Sequence, residues 1–286
     1  LDAYADAGGR YIDTADVYGG GSCERWIGDW LAERDRERYT IASKIYWQIR
    51  DGDPNSRGTN RKNVRDRIDA LLDRLDTDYV DVLYIHRWDD QTDARELMKT
   101  LDGLVESGRV HYLGASTHRP NAWKVARANE IARANGWEPF TVLQPRYNLV
   151  DREIEGDYLA FARQQGLAVC PWSPLGQGFL TGKYDRDADV PADSKVAASR
   201  RFRESYLTPE NFDVHEELNA VAAAVDATPA QVALAWLCHR DGVTAPIVGA
   251  RTVEQLHENL AAASIDLSPA QVDRLTAAKA GPYDGL

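Results

Sequence analysis

Four side chains able to hold or pass a proton stand at or just beyond the ends of short apolar runs in the first part of the chain. Asp13 follows Tyr11-Ile12, and Tyr18 comes five residues later. Lys44 ends the run Thr40-Ile-Ala-Ser-Lys, and His86 ends Val80-Asp-Val-Leu-Tyr-Ile-His. A carboxylate, a phenol, an ammonium and an imidazole are the ingredients of general acid–base chemistry. Charged groups at the ends of apolar strands are costly to bury unless they are paired. Singly, each has an ordinary structural explanation: Asp13 caps a turn, Tyr18 packs, Lys44 meets solvent and His86 is a satisfied core histidine. Four of them on successive strand ends point instead to one shared site. Polar residues continue at later strand ends, with Ser116 after Gly114-Ala115, then Gln144, then Trp172-Ser173.

The elements that must carry these residues alternate along the chain. Strand-like runs cover 11–15, 39–45, 80–85, 110–115, 141–145, 167–172 and 245–249. Helical patterns cover 23–33, 61–75, 93–106, 121–135, 152–165, 212–225 and 229–239. Near-continuous apolar strands separated by helices predict a parallel sheet covered on both faces. Thr228-Pro229 and Ser268-Pro269 place a cap residue before a proline at the first helical position, Ser22 has the type of an N-cap, and Gly136 and Gly166 stand where helices end. The stretch 176–211 reads as a long functional loop. Alternating βα units fit a (β/α)8 barrel or a doubly wound open sheet, and active sites of barrels lie at the C-terminal ends of the strands. Seven strands are one short of a barrel. The chain opens on Leu-Asp-Ala-Tyr-Ala-Asp-Ala-Gly-Gly, which reads as the end of a helix, and its only methionine is Met98. The expectation is an α/β chain of the (β/α)8 TIM-barrel class, a single domain over 1–286, in a natural protein whose first strand lies upstream.

Composition sets further bounds. The 286 residues carry 45 acidic and 34 basic side chains, a formal net charge of −11, with 43% hydrophobic residues. That is an ordinary globular composition, which excludes collagen-like, disulfide-scaffold and mostly disordered classes. No apolar run approaches the roughly 20 residues of a membrane span. A pI near 5.1 argues against binding nucleic acid or an anionic membrane surface. Cys23, Cys170 and Cys238 are far apart and form no metal-binding spacing, which predicts buried free thiols in a reducing, cytoplasmic setting. No metal site is expected: Asp51-Gly-Asp-Pro-Asn-Ser resembles the start of a calcium loop, but Ser56 and Lys62 occupy its glycine and bidentate glutamate positions. This stretch reads as a flexible loop near a substrate mouth.

Several longer motifs carry a family resemblance. Tyr11-Ile-Asp-Thr-Ala-Asp-Val-Tyr-Gly, followed by Glu24, closely resembles the signature of the aldo-keto reductases. Leu72-Asp-Arg-Leu-Asp-Thr-Asp-Tyr-Val-Asp-Val-Leu-Tyr-Ile-His resembles their second signature, which ends in an active-site histidine. The likeness continues through Gln144, Tyr147-Asn148, Trp172-Ser-Pro-Leu175, Gly182-Lys183 and Gly249-Ala-Arg251, to Gln255 and Glu258-Asn259. By this resemblance Asp13, Tyr18, Lys44 and His86 form the catalytic tetrad. A free tyrosine hydroxyl has a pKa of about 10, which the adjacent Lys44 ammonium should lower. Asp13 would hold Lys44, His86 would bond the substrate oxygen, and Tyr18 would protonate it as a hydride arrives from a nicotinamide.

The resemblance also implies cofactor contacts. Ser116 and Gln144 match residues that hold the nicotinamide amide, with Thr117 in place of the usual asparagine, and Trp172 matches the stacking aromatic. Ser173, Pro174, Leu175, Gly178 and Lys183 would lie along the pyrophosphate, with Ser199 and Arg200 closing over it. There is no G-x-G-x-x-G after a strand, so a Rossmann site lacks its fingerprint. Gly249-Ala-Arg251 opens a helix, and helix N-termini favour phosphate. Arg251 suits the 2′-phosphate of NADP(H), and Gln255, Glu258 and Asn259 share the face that would meet the adenosine. Tyr46, Trp47 and Trp88 stand just beyond catalytic strand ends, as apolar walls for a small aldehyde or ketone. The oligomeric state stays open. The alternative is a nicotinamide-binding regulatory subunit of a membrane protein, since potassium-channel β subunits resemble the same family.

Overall fold

The computed structural model describes residues 1–116, 122–186, 190 and 199–281. They fall into two compact units, Leu1–Gln144 and Pro145–Leu286.

The first unit repeats one motif. After a short helix α1 (Asp2–Asp6) come β1 (Tyr11–Asp13), α2 (Ser22–Leu31), β2 (Thr40–Ile45), α3 (Arg61–Leu75), β3 (Val80–Ile85), α4 (Ala94–Glu106), β4 (Val110–Ala115), α5 (Ala122–Ala134) and β5 (Phe140–Leu143). Every strand pairs in parallel with the next, as connections through a helix require. The strands are apolar because both faces are covered: Ile41, Ile45, Leu83 and Ile85 are fully buried, as are Ile68, Leu71 and Leu75 on α3 and Met98 and Leu101 on α4. Register decides which polar ends meet. Asp13 lies opposite Ala42 and Lys44 opposite Tyr84, while the His86 amide donates to the Ile45 carbonyl at 2.9 Å. At Gly114 the ladder between β4 and β5 shifts, and a Cβ there would stand 2.3 Å from the Tyr84 ring. The bare glycine lets that ring cross over, to a hydroxyl–hydroxyl bond of 2.9 Å with Tyr11.

The second unit is mainly helical. It contains α6 (Asp157–Gln165), β6 (Ala168–Val169), α7 (Arg200–Tyr206), α8 (Pro209–Ala224), α9 (Pro229–Cys238), α10 (Val253–Ala261) and α11 (Pro269–Ala277). Thr228 and Ser268 both complete capping boxes, with Gln231 and Gln271, ahead of their prolines. Leu218 of α8, Val232 and Trp236 of α9 and Leu275 of α11 are fully buried. Gly166 ends α6 in the left-handed region at φ 65. Among the described residues no single helix is long and apolar enough to cross a membrane.

Several expectations need correction. The run 245–249 is not a strand: it is an extended segment that flanks β6 through only two backbone bonds, Thr244 to Val169 and Ile247 to Pro171, both 2.8 Å. Pro171 and Pro246 have no N–H to donate, so the ladder stops there, and β6 itself is cut to two residues. Pro145 shortens β5 in the same way. Residues 152–165 are broken at Gly156, with a single 3-10 turn ahead of α6. Ser22 is the first residue of α2 rather than its cap. Three glycines in the left-handed region, Gly19 to Gly21, lead into the helix, and the Ser22 hydroxyl turns back to the Gly19 carbonyl at 2.9 Å. Of the stretch 176–211 read as a long loop, the described residues include a 3-10 helix, α7 capped by Ser199 and the start of α8, while residues 187–189 and 191–198 lie outside the described residues. Of the three thiols only Cys170 is buried, and Cys238 is exposed at the end of α9.

Asn129 of α5 shows how helix and sheet are tied together. Its fully buried amide accepts from the Phe140 N–H at 2.9 Å and donates to the Phe140 carbonyl at 3.0 Å, which satisfies the first residue of β5. Asn129→Ala is expected to cost about 2–3 kcal/mol, since it leaves two backbone groups unpaired in the interior. Urea unfolding of the two proteins measures the difference.

Candidate active site

Three of the four predicted proton-handling residues are strand-end residues of the first unit, brought together by register. Lys44 is fully buried on β2 and forms an ion pair with the Asp13 Oδ2, and its ammonium also donates to the Thr14 carbonyl at 2.8 Å. Asp13 uses its other oxygen to accept from the Gln144 amide at 2.8 Å. The ammonium therefore has a fixed position, 5.1 Å from the centre of the Tyr18 ring. Tyr18 begins the glycine turn after β1, with its amide donating to the Ala15 carbonyl at 3.0 Å. Its ring meets the His86 ring edge to face at 5.7 Å. His86 follows β3 and is itself buried. The four residues form one cluster.

Burial and charge set their protonation. Burial pulls the Lys44 ammonium below the usual lysine range, and Asp13 opposes that pull with its charge and hydrogen bond. The Tyr18 hydroxyl is raised above the ordinary phenol value, first by burial and then by the negative charge of Asp13. The net direction is opposite to the lowering expected from Lys44, although part of the Tyr18 side chain, 40% exposed, reaches solvent. The ammonium itself is held by Asp13 and the Thr14 carbonyl. At neutral pH the Tyr18 hydroxyl is therefore protonated, as an ordinary phenol also is.

The remaining predicted residues are distributed as follows. In the first unit Ser116 is buried and its hydroxyl donates to the Gln144 carbonyl at 3.1 Å. Gln144 belongs to the catalytic cluster itself, through Asp13. Thr117 lies outside the described residues. The Trp47 ring stands edge to face with His86 at 6.2 Å and with Tyr46 at 5.2 Å. Tyr46 is buried, with Arg57 donating to its hydroxyl at 3.5 Å. Trp88 lines a different concavity, about 340 Å³, with Asp89, Thr92, Trp123 and Arg127 among its walls.

In the second unit Trp172 makes an isolated bridge with Arg146, and its amide donates to the Pro145 carbonyl at 2.9 Å. Ser173 takes the left-handed region at φ 56, and its hydroxyl accepts from the Gln177 backbone at 3.2 Å and from the Gln177 side chain at 2.9 Å. Pro174 and Leu175 lead into the 3-10 turn Gly176–Thr181. Gly178 has φ 92, and a Cβ there would stand 3.4 Å from the Lys183 Nζ. Bare backbone beside an ammonium forms a cradle that fits a phosphate group. Arg200 is exposed, and its Nε donates to Glu204 at 2.7 Å. Thr252 caps α10, where the Gln255 amide oxygen accepts from the Arg251 backbone at 2.9 Å. Glu258 accepts from the Thr228 hydroxyl at 2.7 Å, which ties α10 to the cap of α9. Asn259 lies on the same helix, and Gly249 and Arg251 are exposed ahead of it.

Two buried ionic contacts near the cluster were not among the predicted site residues. Asp16 pairs with Arg67 of α3, both almost fully buried. Glu24 of α2 is wholly buried, accepting from the Ser43 hydroxyl and from Arg74, both at 2.6 Å. Asp16 and Glu24 do fall within or just after the first signature, but their partners are tens of residues away.

Comparison with known proteins agrees with this architecture. A family model described as the aldo/keto reductase family matches residues 1–280. A norsolorinic acid reductase of Aspergillus flavus is 33% identical, the alignment covering 99% of this chain and 71% of the relative. An aryl-alcohol dehydrogenase of Pestalotiopsis microspora is 35% identical over 96% of this chain and 70% of its own length. The chain belongs to the aldo/keto reductase family. It is an oxidoreductase with the family's (β/α)8 barrel class of fold, and the family generally uses NAD(P)H on small carbonyl compounds.

The raised Tyr18 hydroxyl gives a direct expectation. Ultraviolet titration of the cofactor-free protein should give the same phenolate curve for wild type and Tyr18→Phe up to about pH 10, the free phenol value. Because the folded value exceeds the unfolded one, Tyr18 supports the fold below that pH and ceases to as pH rises beyond it. An extra phenolate in wild type below pH 10 contradicts the assignment.

Proposed function

We propose that this protein is an NADPH-dependent reductase of aldehydes or ketones with Tyr18 as its general acid. The observation that carries the reading is the single cluster of Tyr18, Lys44, Asp13 and His86, with the phenol held protonated beside a buried ammonium. A bound NADPH supplies the hydride. His86 donates an N–H to the carbonyl oxygen and orients it, and Tyr18 gives its proton to that oxygen as negative charge develops there. The phenolate left behind faces the Lys44 ammonium, which Asp13 holds in place, and a proton from solvent restores Tyr18.

Within the second unit, Ser173, Pro174, Leu175, Gly178 and Lys183 suit the diphosphate. Ser199 and Arg200, together with Gly249, Arg251, Gln255, Glu258 and Asn259, suit the rest of the nucleotide. Within the first, Ser116 and Gln144 carry polar groups suited to the carboxamide. The favoured substrate is an aromatic carbonyl compound. Trp47 stands against His86, and two relatives are named for norsolorinic acid and aryl alcohols. Three unbridged cysteines support a reducing, cytoplasmic setting, and residues 1–286 are read as one catalytic domain.

Tyr18→Phe should reduce NADPH-linked turnover of an aryl aldehyde by at least about 10³-fold while NADPH binding stays within about twofold. Carbonyl reduction retained in that variant contradicts the mechanism. Arg251→Ala should lower the preference for NADPH over NADH by about tenfold or more, the loss of one charge-assisted phosphate contact. An unchanged ratio of the two binding constants, measured by fluorescence titration, removes Arg251 from that role.

A further inference from the structure

Among the described residues, the Asp16–Arg67 pair is the most deeply buried ionic contact that the catalytic cluster does not use. Asp16 is 3% exposed and Arg67 2%. Burying two charges offers little stability over an apolar pair of the same volume, so the presence of the pair calls for another reason. The connections of the pair supply one. The Asp16 amide donates to the Lys44 carbonyl at 3.1 Å, which continues the β1–β2 ladder past the strand, and Tyr18 is two residues further on. Arg67 donates from one nitrogen to Asp16 and from the other to the Trp47 carbonyl at 2.8 Å and the Ser56 carbonyl at 3.1 Å. Ser56 is fully buried, and its hydroxyl donates to the Asp53 carbonyl at 2.9 Å, closing the turn of residues 50–56. One guanidinium therefore joins the segment leading to Tyr18 and the loop leaving Trp47. Its planar fork reaches these acceptors together, as a lysine ammonium on a flexible stem cannot.

We propose that Arg67 and Asp16 are positioning residues, which set the distance between the Tyr18 turn and the Trp47 loop and so shape the substrate end of the site. The inference rests on the reductase reading for its kinetic consequence, but not for its structural one. Burial moves the Asp16 carboxyl up to about 6 against the pull of Arg67.

The test uses Arg67→Lys, which keeps a cation next to Asp16, and Asp16→Asn, which keeps a hydrogen-bonding side chain of the same size. Kinetics are scaled to NADPH-binding sites, so that a fall in the folded fraction does not count. For Arg67→Lys the aldehyde KM should rise about tenfold and kcat fall by a similar factor, with the NADPH dissociation constant within about twofold of wild type. Amide exchange over residues 47–56 should speed up in the same variant. Asp16→Asn should show the same pattern in smaller measure. Exchange unchanged in both variants overturns the proposal, whatever the kinetics. So does a loss confined to the number of NADPH-binding sites, with KM and kcat per site at wild-type values. If wild type itself reduces no aldehyde, the reductase reading fails, and the exchange result still decides whether the pair holds the loop. Should Arg67→Lys not fold, Asp16→Asn alone decides by the same two readouts.

Discussion

The interaction on which the first unit depends is the ion pair between Lys44 and Asp13. A fully buried ammonium on a central strand is among the least favourable placements for a lysine. It is stable there because Asp13 faces it, the Thr14 carbonyl accepts a second hydrogen and Gln144 completes the shell of Asp13. That arrangement requires β1, β2 and the end of β5 to be in correct register. It follows that assembling the sheet and assembling the site are one event, and that the carboxylate and the cation cannot be separated without leaving a naked charge inside.

Around this centre further polar contacts act at longer range. Glu24 links α2 to Ser43 of β2 and to Arg74 of α3. Asp16 and Arg67 link the turn after β1 to α3 and to the loop after β2. Both acidic groups also act electrostatically on Lys44, favouring its charged form. The helices thus do more than cover the sheet: α3 supplies the cations that neutralise carboxylates placed close to the reacting groups. Most cations of the chain are arginines, whose fork can serve several carbonyls at once, as Arg67 does.

Much of the site could be read from the sequence because strand ends in a parallel α/β fold converge by geometry. Asp13, Lys44 and His86 end apolar runs, and that placement alone brings them together. The family motifs then separate Tyr18 from the many tyrosines that merely pack. The Asp16–Arg67 pair could not be read in this way, since its partners are 51 residues apart and a helical arginine in a polar-looking segment resembles any surface arginine. Nor could the raised state of Tyr18, because a residue list shows the attracting ammonium but not the cost of desolvation. The missed breaks have simple causes. Pro171 and Pro246 remove ladder donors where the apolar pattern continues, and Gly156 interrupts a helical pattern that its neighbours would sustain. Helix α7 has few apolar residues and rests on the Ser199 cap, so periodicity did not reveal it.

The strict alternation of β2 sets a limit on how this chain can change in length. Lys44 reaches Asp13 only because it lies on the inner side of the ladder at one register, fixed by Ala42 against Asp13 and Lys44 against Tyr84. Adding or deleting one residue between Thr40 and Lys44 would turn the ammonium to the helix-covered side and bring an isoleucine or a serine in its place. Insertions and deletions are therefore tolerable in turns such as those after α1 and α4 and forbidden in the strands. Across descendants of this sequence the loops can grow or shrink, while the spacing within each strand stays fixed to the residue.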